Sequence, residues 1–145
     1  MSERAWWLML AASLVAPSAL AADAAHALTT LRVIDAKVVA PAQYGKAPGV
    51  AARGGTPVEI ALAIAGKFEG SIQQIIQVNE GSESPTASRV TIVRDGLLDD
   101  SVRGQRWDVV LGKAASGKWS IRDVTIAWRC WRGPESDVFS ATPCR

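Results

Sequence analysis

From Gly70 to Cys130 the apolar side chains recur at every second position, in four segments separated by turn-forming residues. That period belongs to strands with one buried face, and four such strands joined by short connections describe an antiparallel meander. In the first segment Ile72, Gln74, Ile76 and Val78 point one way and Gln73, Ile75 and Gln77 the other, with Asn79-Glu80-Gly81 as the turn. Ser82 to Ala87 is a polar linker containing Pro85, after which Ser88 to Arg94 alternates with Val90 and Ile92 inward and Arg89, Thr91 and Val93 outward. Gln105 to Leu111 sets Trp107, Val109 and Leu111 against Arg106, Asp108 and Val110, and Gly112 to Lys118 reads as a hairpin loop. The last segment begins with Trp119 and Ile121 inward and continues with Val124, Ile126, Trp128 and Cys130, so its phase flips. One extra residue near Arg122-Asp123, a β-bulge, produces such a flip.

Upstream, Thr56-Pro57-Val58-Glu59 combines an N-cap hydroxyl, a proline at the first helical position and a glutamate three residues after the cap. These are the signals of a helix start. The helix contains Ile60, Leu62, Ala63 and Ile64, and Gly66 or Gly70 ends it. It is short and apolar nearly all round, which predicts burial against the sheet. Leu31 to Val39 is expected to be a further strand with Ile34, Ala36 and Val38 on one face, and Pro41 to Gly55, with two prolines and four glycines, a loop. The fold class expected is α+β, a short helix packed on a curved antiparallel sheet of about four to five strands. This order of elements resembles cystatin-like and NTF2-like folds over residues 56 to 131. Residues 22 to 55 then form an N-terminal strand and Gly/Pro-rich loop, and residues 56 to 145 the α+β domain.

The first 21 residues read as a secretory leader. Arg4 precedes an apolar run from Ala5 to Ala16, and Ala19-Leu20-Ala21 supplies small residues for cleavage after Ala21, with Ala22 or Ala24 as alternatives. An uncleaved anchor from Trp6 to Ala22 is the competing reading, opposed by Pro17 and Ser18. An exported chain with only Cys130 and Cys144 is expected to join them in a disulfide. Closing a ring of about 15 residues contributes about 3 kcal/mol in chain-entropy terms. The expected location is periplasmic or secreted, with no membrane anchor after cleavage.

Composition narrows the chemistry. With 48% hydrophobic and 21% charged residues the chain is neither disordered, collagenous nor a multi-span membrane protein. Its 16 Lys+Arg against 14 Asp+Glu give a net charge of +2, too weak for an electrostatic nucleic-acid binder. His26 is the single histidine, which leaves little material for imidazole catalysis or His-rich metal sites. Ser101, Ser116 and Ser136 have no His partner and no S-x-x-K spacing, and no phosphate-binding glycine motif occurs.

Two groups of side chains remain as candidates. Asp95, Asp99 and Asp100 form the densest acidic stretch, with Arg103 and Arg106 close enough to neutralise it. Paired carboxylates of this kind can do acid/base or calcium chemistry, or simply shape a turn. Trp128, Arg129, Trp131 and Arg132 interleave aromatic and cationic side chains that can bind a ligand by stacking. Strand alternation alone would instead place Trp128 and Cys130 inward and Arg129 and Trp131 outward, with arginine covering the exposed indole.

Trp128-Arg129-Cys130-Trp131-Arg132-Gly133, then Phe139-Ser140 and Pro143-Cys144, together with Gly96-Leu97-Leu98-Asp99-Asp100-Ser101-Val102-Arg103-Gly104, resemble a family of small exported bacterial proteins of unknown function. The resemblance implies no activity. Related tails carry a Gly-Arg-Gly-His run where this chain has Gly133-Pro134-Glu135-Ser136. The expectation is a non-enzymatic binding module of the bacterial envelope. It would use no metal or other cofactor, and its partner would be an envelope protein or a small ligand. The alternative is an NTF2-like enzyme or ligand-binding protein in which Asp99, Asp100 and Arg103 line a concave pocket.

Overall fold

A computed structural model of the chain describes residues 31–81 and 83–145. The leader, its cleavage site at Ala21 and His26 lie outside these residues. The fold is α+β, with two short helices on one side of a five-stranded antiparallel sheet ordered β1-β5-β4-β3-β2. The strands are β1 (Lys37–Val38), β2 (Gly70–Glu80), β3 (Ala87–Leu97), β4 (Val102–Lys113) and β5 (Trp119–Cys130).

Helix α1 spans Ala47–Ala52 and α2 spans Pro57–Ala65. In α2 the expected start is in place: the Thr56 hydroxyl accepts from Glu59 N at 3.3 Å, and the Glu59 carboxylate accepts from Thr56 N at 2.7 Å. Gly66, at φ 69°, closes the helix in a backbone conformation that side chains other than glycine resist. Helix α1 corrects the loop expected between Pro41 and Gly55. Pro48 sits in its first turn, where no amide donor is needed, and Ala47 and Ala51 are buried beside Tyr44. Packing against the sheet outweighs the Pro/Gly composition that suggested a loop.

The register explains the main core. Ile92, Trp107 and Ile126 lie abreast across β3, β4 and β5, as do Val90, Val109 and Val124 in the next row. Ile60, Ala61 and Ile64 of α2 pack onto these rows. The expected bulge is present: Val110 pairs with Asp123 and Leu111 with Ile121, so Arg122 is the extra residue. It lets Ile121 and Val124 serve the same face and bends β5.

Two expectations, one about a face and one about the length of a strand, are corrected. Val93, read as outward, is fully buried, because it joins Ala127 and Phe139 in a second cluster on the face away from the helices. The C-terminal segment makes this cover: Ser140 and Trp128 exchange backbone hydrogen bonds at 2.8 and 2.9 Å. It also occupies the edge of β5 that a long first strand would need. The strand expected over Leu31 to Val39 therefore shrinks to Lys37–Val38, with a single bridge from Val33 to Phe139, and Ile34 and Val38 remain exposed. Cys130 and Cys144 are disulfide-bonded with Cα atoms 5.5 Å apart, which ties this segment to the end of β5. Among the described residues no helix is long and apolar enough to cross a membrane.

Candidate functional site

The candidate residues converge at the end of the sheet where β3 passes into β4 and β5 runs into the disulfide-closed tail. Asp99 sits in the β3–β4 turn, and its carboxylate accepts from Ser101 N at 2.8 Å and Val102 N at 2.7 Å. These two amides, that of Val102 first, hold its pKa below the usual aspartate value. The carboxylate closes an Asx-type turn. Asp100 is exposed on the same turn, and its carbonyl accepts from Arg132 Nη2 at 3.5 Å.

Trp131, the residue after β5, is fixed to this turn. Its Nε1 donates to the Asp99 carbonyl at 2.8 Å, and its backbone amide donates to the Ser101 carbonyl at 3.0 Å. The Arg103 guanidinium lies 5.3 Å from the indole centroid. Cation–π contact of this kind adds about 0.5–1 kcal/mol at an exposed site. Trp131 nonetheless remains 43% exposed, and Leu98, one residue before Asp99, is 86% exposed. Leu98 and Trp131, with Arg103 over the indole and Arg132 bonded to the Asp100 carbonyl, make up the candidate contact patch at this turn.

Beneath the patch lies a buried charge cluster. Arg129 Nη1 donates to Asp95 Oδ1 at 3.1 Å, and Arg129 Nε donates to the Ser136 carbonyl at 2.7 Å. Arg103 Nε stands 3.6 Å from the same Asp95 oxygen. Burial pulls the Arg129 pKa below the usual guanidinium value, while the charge of Asp95 opposes that shift. The expectation that Arg129 faces outward is thus corrected. The 3₁₀ turn Pro134–Ser136 and the tail cover the face that Arg129 occupies, and Arg103 takes the place over the ring. Trp128, on the opposite face, is half-buried against the main core.

A second buried guanidinium, Arg94, donates to the carbonyls of Ala65 and Gly66 at 2.7 Å each and of Lys67 at 3.2 Å, and to Gln73 Oε1 at 2.8 Å. It satisfies the orphan carbonyls at the end of α2. Burial lowers its pKa too.

A cleft of about 280 Å³ opens beside the disulfide, lined by Ser101, Cys130, Arg132, Glu135, Thr142 and Arg145 among others. Of the candidate binding residues Asp99, Asp100, Arg103, Trp128, Arg129, Trp131 and Arg132, only Arg132 lines it. Asp99, Asp100 and Arg103 do not line it, and the Asp99 carboxylate is already engaged by backbone amides.

Sequence reasoning missed Asp95 as the centre of the charge cluster, Arg94 as a helix cap and Leu98 as part of the patch. Leu98 had a signal: an apolar pair, Leu97-Leu98, set inside an acidic turn. Arg94 had none, and the acidic stretch that contains Asp95 gave no sign of its role, since their partners lie on other strands or far along the chain. Comparisons with protein-family models, with curated protein sequences and with solved structures returned no match to this chain.

Proposed function

We propose that this protein is an exported, non-enzymatic binding module of the bacterial envelope whose contact surface is the Leu98–Trp131 patch with Arg103 and Arg132. One observation carries the reading: the Trp131 indole is exposed yet immobilised by Asp99, Ser101, Arg103 and the adjoining disulfide. Aromatic and arginine side chains dominate protein contact energies, and a side chain ordered beforehand loses less entropy on binding. A protein partner fits an open patch of this kind better than a small molecule, which favours a concave, mostly enclosed site.

The disulfide supports an oxidising compartment, periplasmic or extracellular, in line with the leader-like first 21 residues. The cystatin-like or NTF2-like comparison belongs to this reading as well. It rests on a helix preceding a four-strand meander, an order supplied by the elements from Pro57 to Cys130. Membership in a family of small exported proteins rests on the Trp-Arg-Cys-Trp-Arg-Gly tail.

The test is a photo-crosslinking amino acid placed at Leu98 in the protein expressed in its own cells, with Lys113 as a control position. A discrete adduct from position 98 that is lost in Trp131→Ala supports the assignment. Equal adducts from both positions, or an adduct unaffected by Trp131→Ala, would remove it.

A further inference from the structure

We propose that β2 is a self-association edge, along which two copies of this chain join their sheets antiparallel about Ile75. The inference is independent of the Leu98–Trp131 patch. Strand β2 is the outermost strand of the sheet, whereas the opposite edge is covered in part by β1 and by Ser140. Edges left open in monomeric proteins are blunted by charges, prolines, bulges or shortness. Strand β2 has none of these over most of its length. Gly70 to Asn79 contains no charged residue and no proline, and its pairing with β3 runs without a register shift from Ile72–Asp95 to Glu80–Ala87. Ile75, Ile76 and Val78 are exposed along it.

The occupant follows from the order of residues. An antiparallel pair related by a two-fold axis normal to the sheet keeps each face on its own side and places a residue opposite itself at the axis. With Ile75 at the axis, Gln73 faces Gln77 of the second copy and Ile72 faces Val78 of the second copy. Like therefore meets like at most positions: amide with amide beside the central isoleucines and Ile72 with Val78 on the reverse side, where Gln74 lies opposite an unlike residue, Ile76 of the second copy. Moving the axis to Ile76 sets Ile72 against Glu80 and Gln74 against Val78, and loses this match.

The Gln74 side chain adds a second observation. Its Oε1 is buried without a hydrogen-bond partner. In the Ile75 register Gln74 becomes the diagonal neighbour of Gln74 of the second copy on the same face, a separation that long side chains span. Turned out of this buried position toward the axis, each carboxamide can donate to the other and so satisfy the unpaired Oε1.

The purified, disulfide-bonded protein is expected to run as a dimer in size-exclusion chromatography with light scattering, and Ile75→Lys, which sets two ammonium groups side by side, as a monomer. Register is read by two cysteine variants under mild oxidation. Ile75→Cys is expected to give a covalent dimer and Asn79→Cys none, because two copies of residue 79 would lie roughly 27 Å apart along the strands. A wild-type monomer at high micromolar concentration overturns the proposal, as does crosslinking through Asn79→Cys in preference to Ile75→Cys. The cysteine pair decides the matter even where the lysine variant fails to fold.

Discussion

Arg129 and Asp95 reach one another across Gly104. The three residues lie abreast on β5, β3 and β4 respectively, and the 3.1 Å contact between the side chains passes over the one position between them that has no Cβ. A Cβ on Gly104 would stand 2.8 Å from the Arg94 carbonyl and 3.0 Å from Asp95 Oδ1. A buried ion pair needs close, hydrogen-bonded geometry to offset the loss of hydration. Arg129→Ala leaves the Asp95 charge with only the longer Arg103 approach, so the expected loss is about 3–5 kcal/mol. Gly104→Ala is expected to cost about 1–3 kcal/mol by overpacking. Urea unfolding measures both, and a double variant losing less than the sum of the two singles would show that they act on one contact.

The tail's two aromatic positions differ in role. Phe139 is fully buried against Val93 and Ala127, while Trp131 is half-exposed. Phe139→Ala is therefore expected to cost about 3–5 kcal/mol of stability. Trp131→Ala should cost well under half of that and act on binding instead. Thermal melts of the two variants side by side check the contrast, and equal losses would contradict it.

Acid stability depends on Asp108. Burial raises its carboxyl pKa, but hydrogen bonds from Arg106 and Thr91 and the charges of Arg106 and Arg89 outweigh this, so the net direction is downward. A carboxylate depressed in the folded state binds fewer protons there than in the unfolded chain. Its contribution is complete above the unfolded value of about 3.9 and is lost as pH falls through the lower folded value. Asp108→Asn should flatten the acid limb of a stability-against-pH curve below about pH 4 while changing its slope little near pH 7. An unchanged acid limb would place the dependence on other carboxylates, such as Asp99.

The start of α2 rests on one hydroxyl. Thr56→Ala removes the acceptor for Glu59 N and the hydroxyl bonded to the Glu59 carboxylate. The expected loss is about 1 kcal/mol. Thr56→Ser, which keeps the oxygen, should lose much less, and chemical denaturation of the pair resolves the difference.

The legible parts of the candidate site were those with a local signature. Trp131 and Arg132 could be singled out because aromatic and cationic residues interleave beside a cysteine, and Asp99 and Asp100 because carboxylates crowd a turn. Their roles were less legible. Whether Asp99 serves a ligand or two backbone amides depends on the path of the turn, and whether Arg129 faces solvent depends on what lies over β5.

Sequence alone determined the elements whose causes are local. The two-residue period set the strands from Gly70 to Cys130, the Thr56-Pro57-Glu59 cluster set the start of α2, and the phase change beyond Ile121 located the bulge at Arg122. Alternation assigns a residue to one face of a strand and is silent on what covers that face. Only the tertiary structure decided that the disulfide-closed tail returns over the sheet, burying Val93, Asp95 and Arg129 on the side expected to meet water. The same return shortened the first strand by occupying the edge of β5, and packing against the sheet turned a Pro/Gly-rich segment into α1. These outcomes rest on contacts between residues far apart in the chain, where burial of apolar surface outweighs local preference.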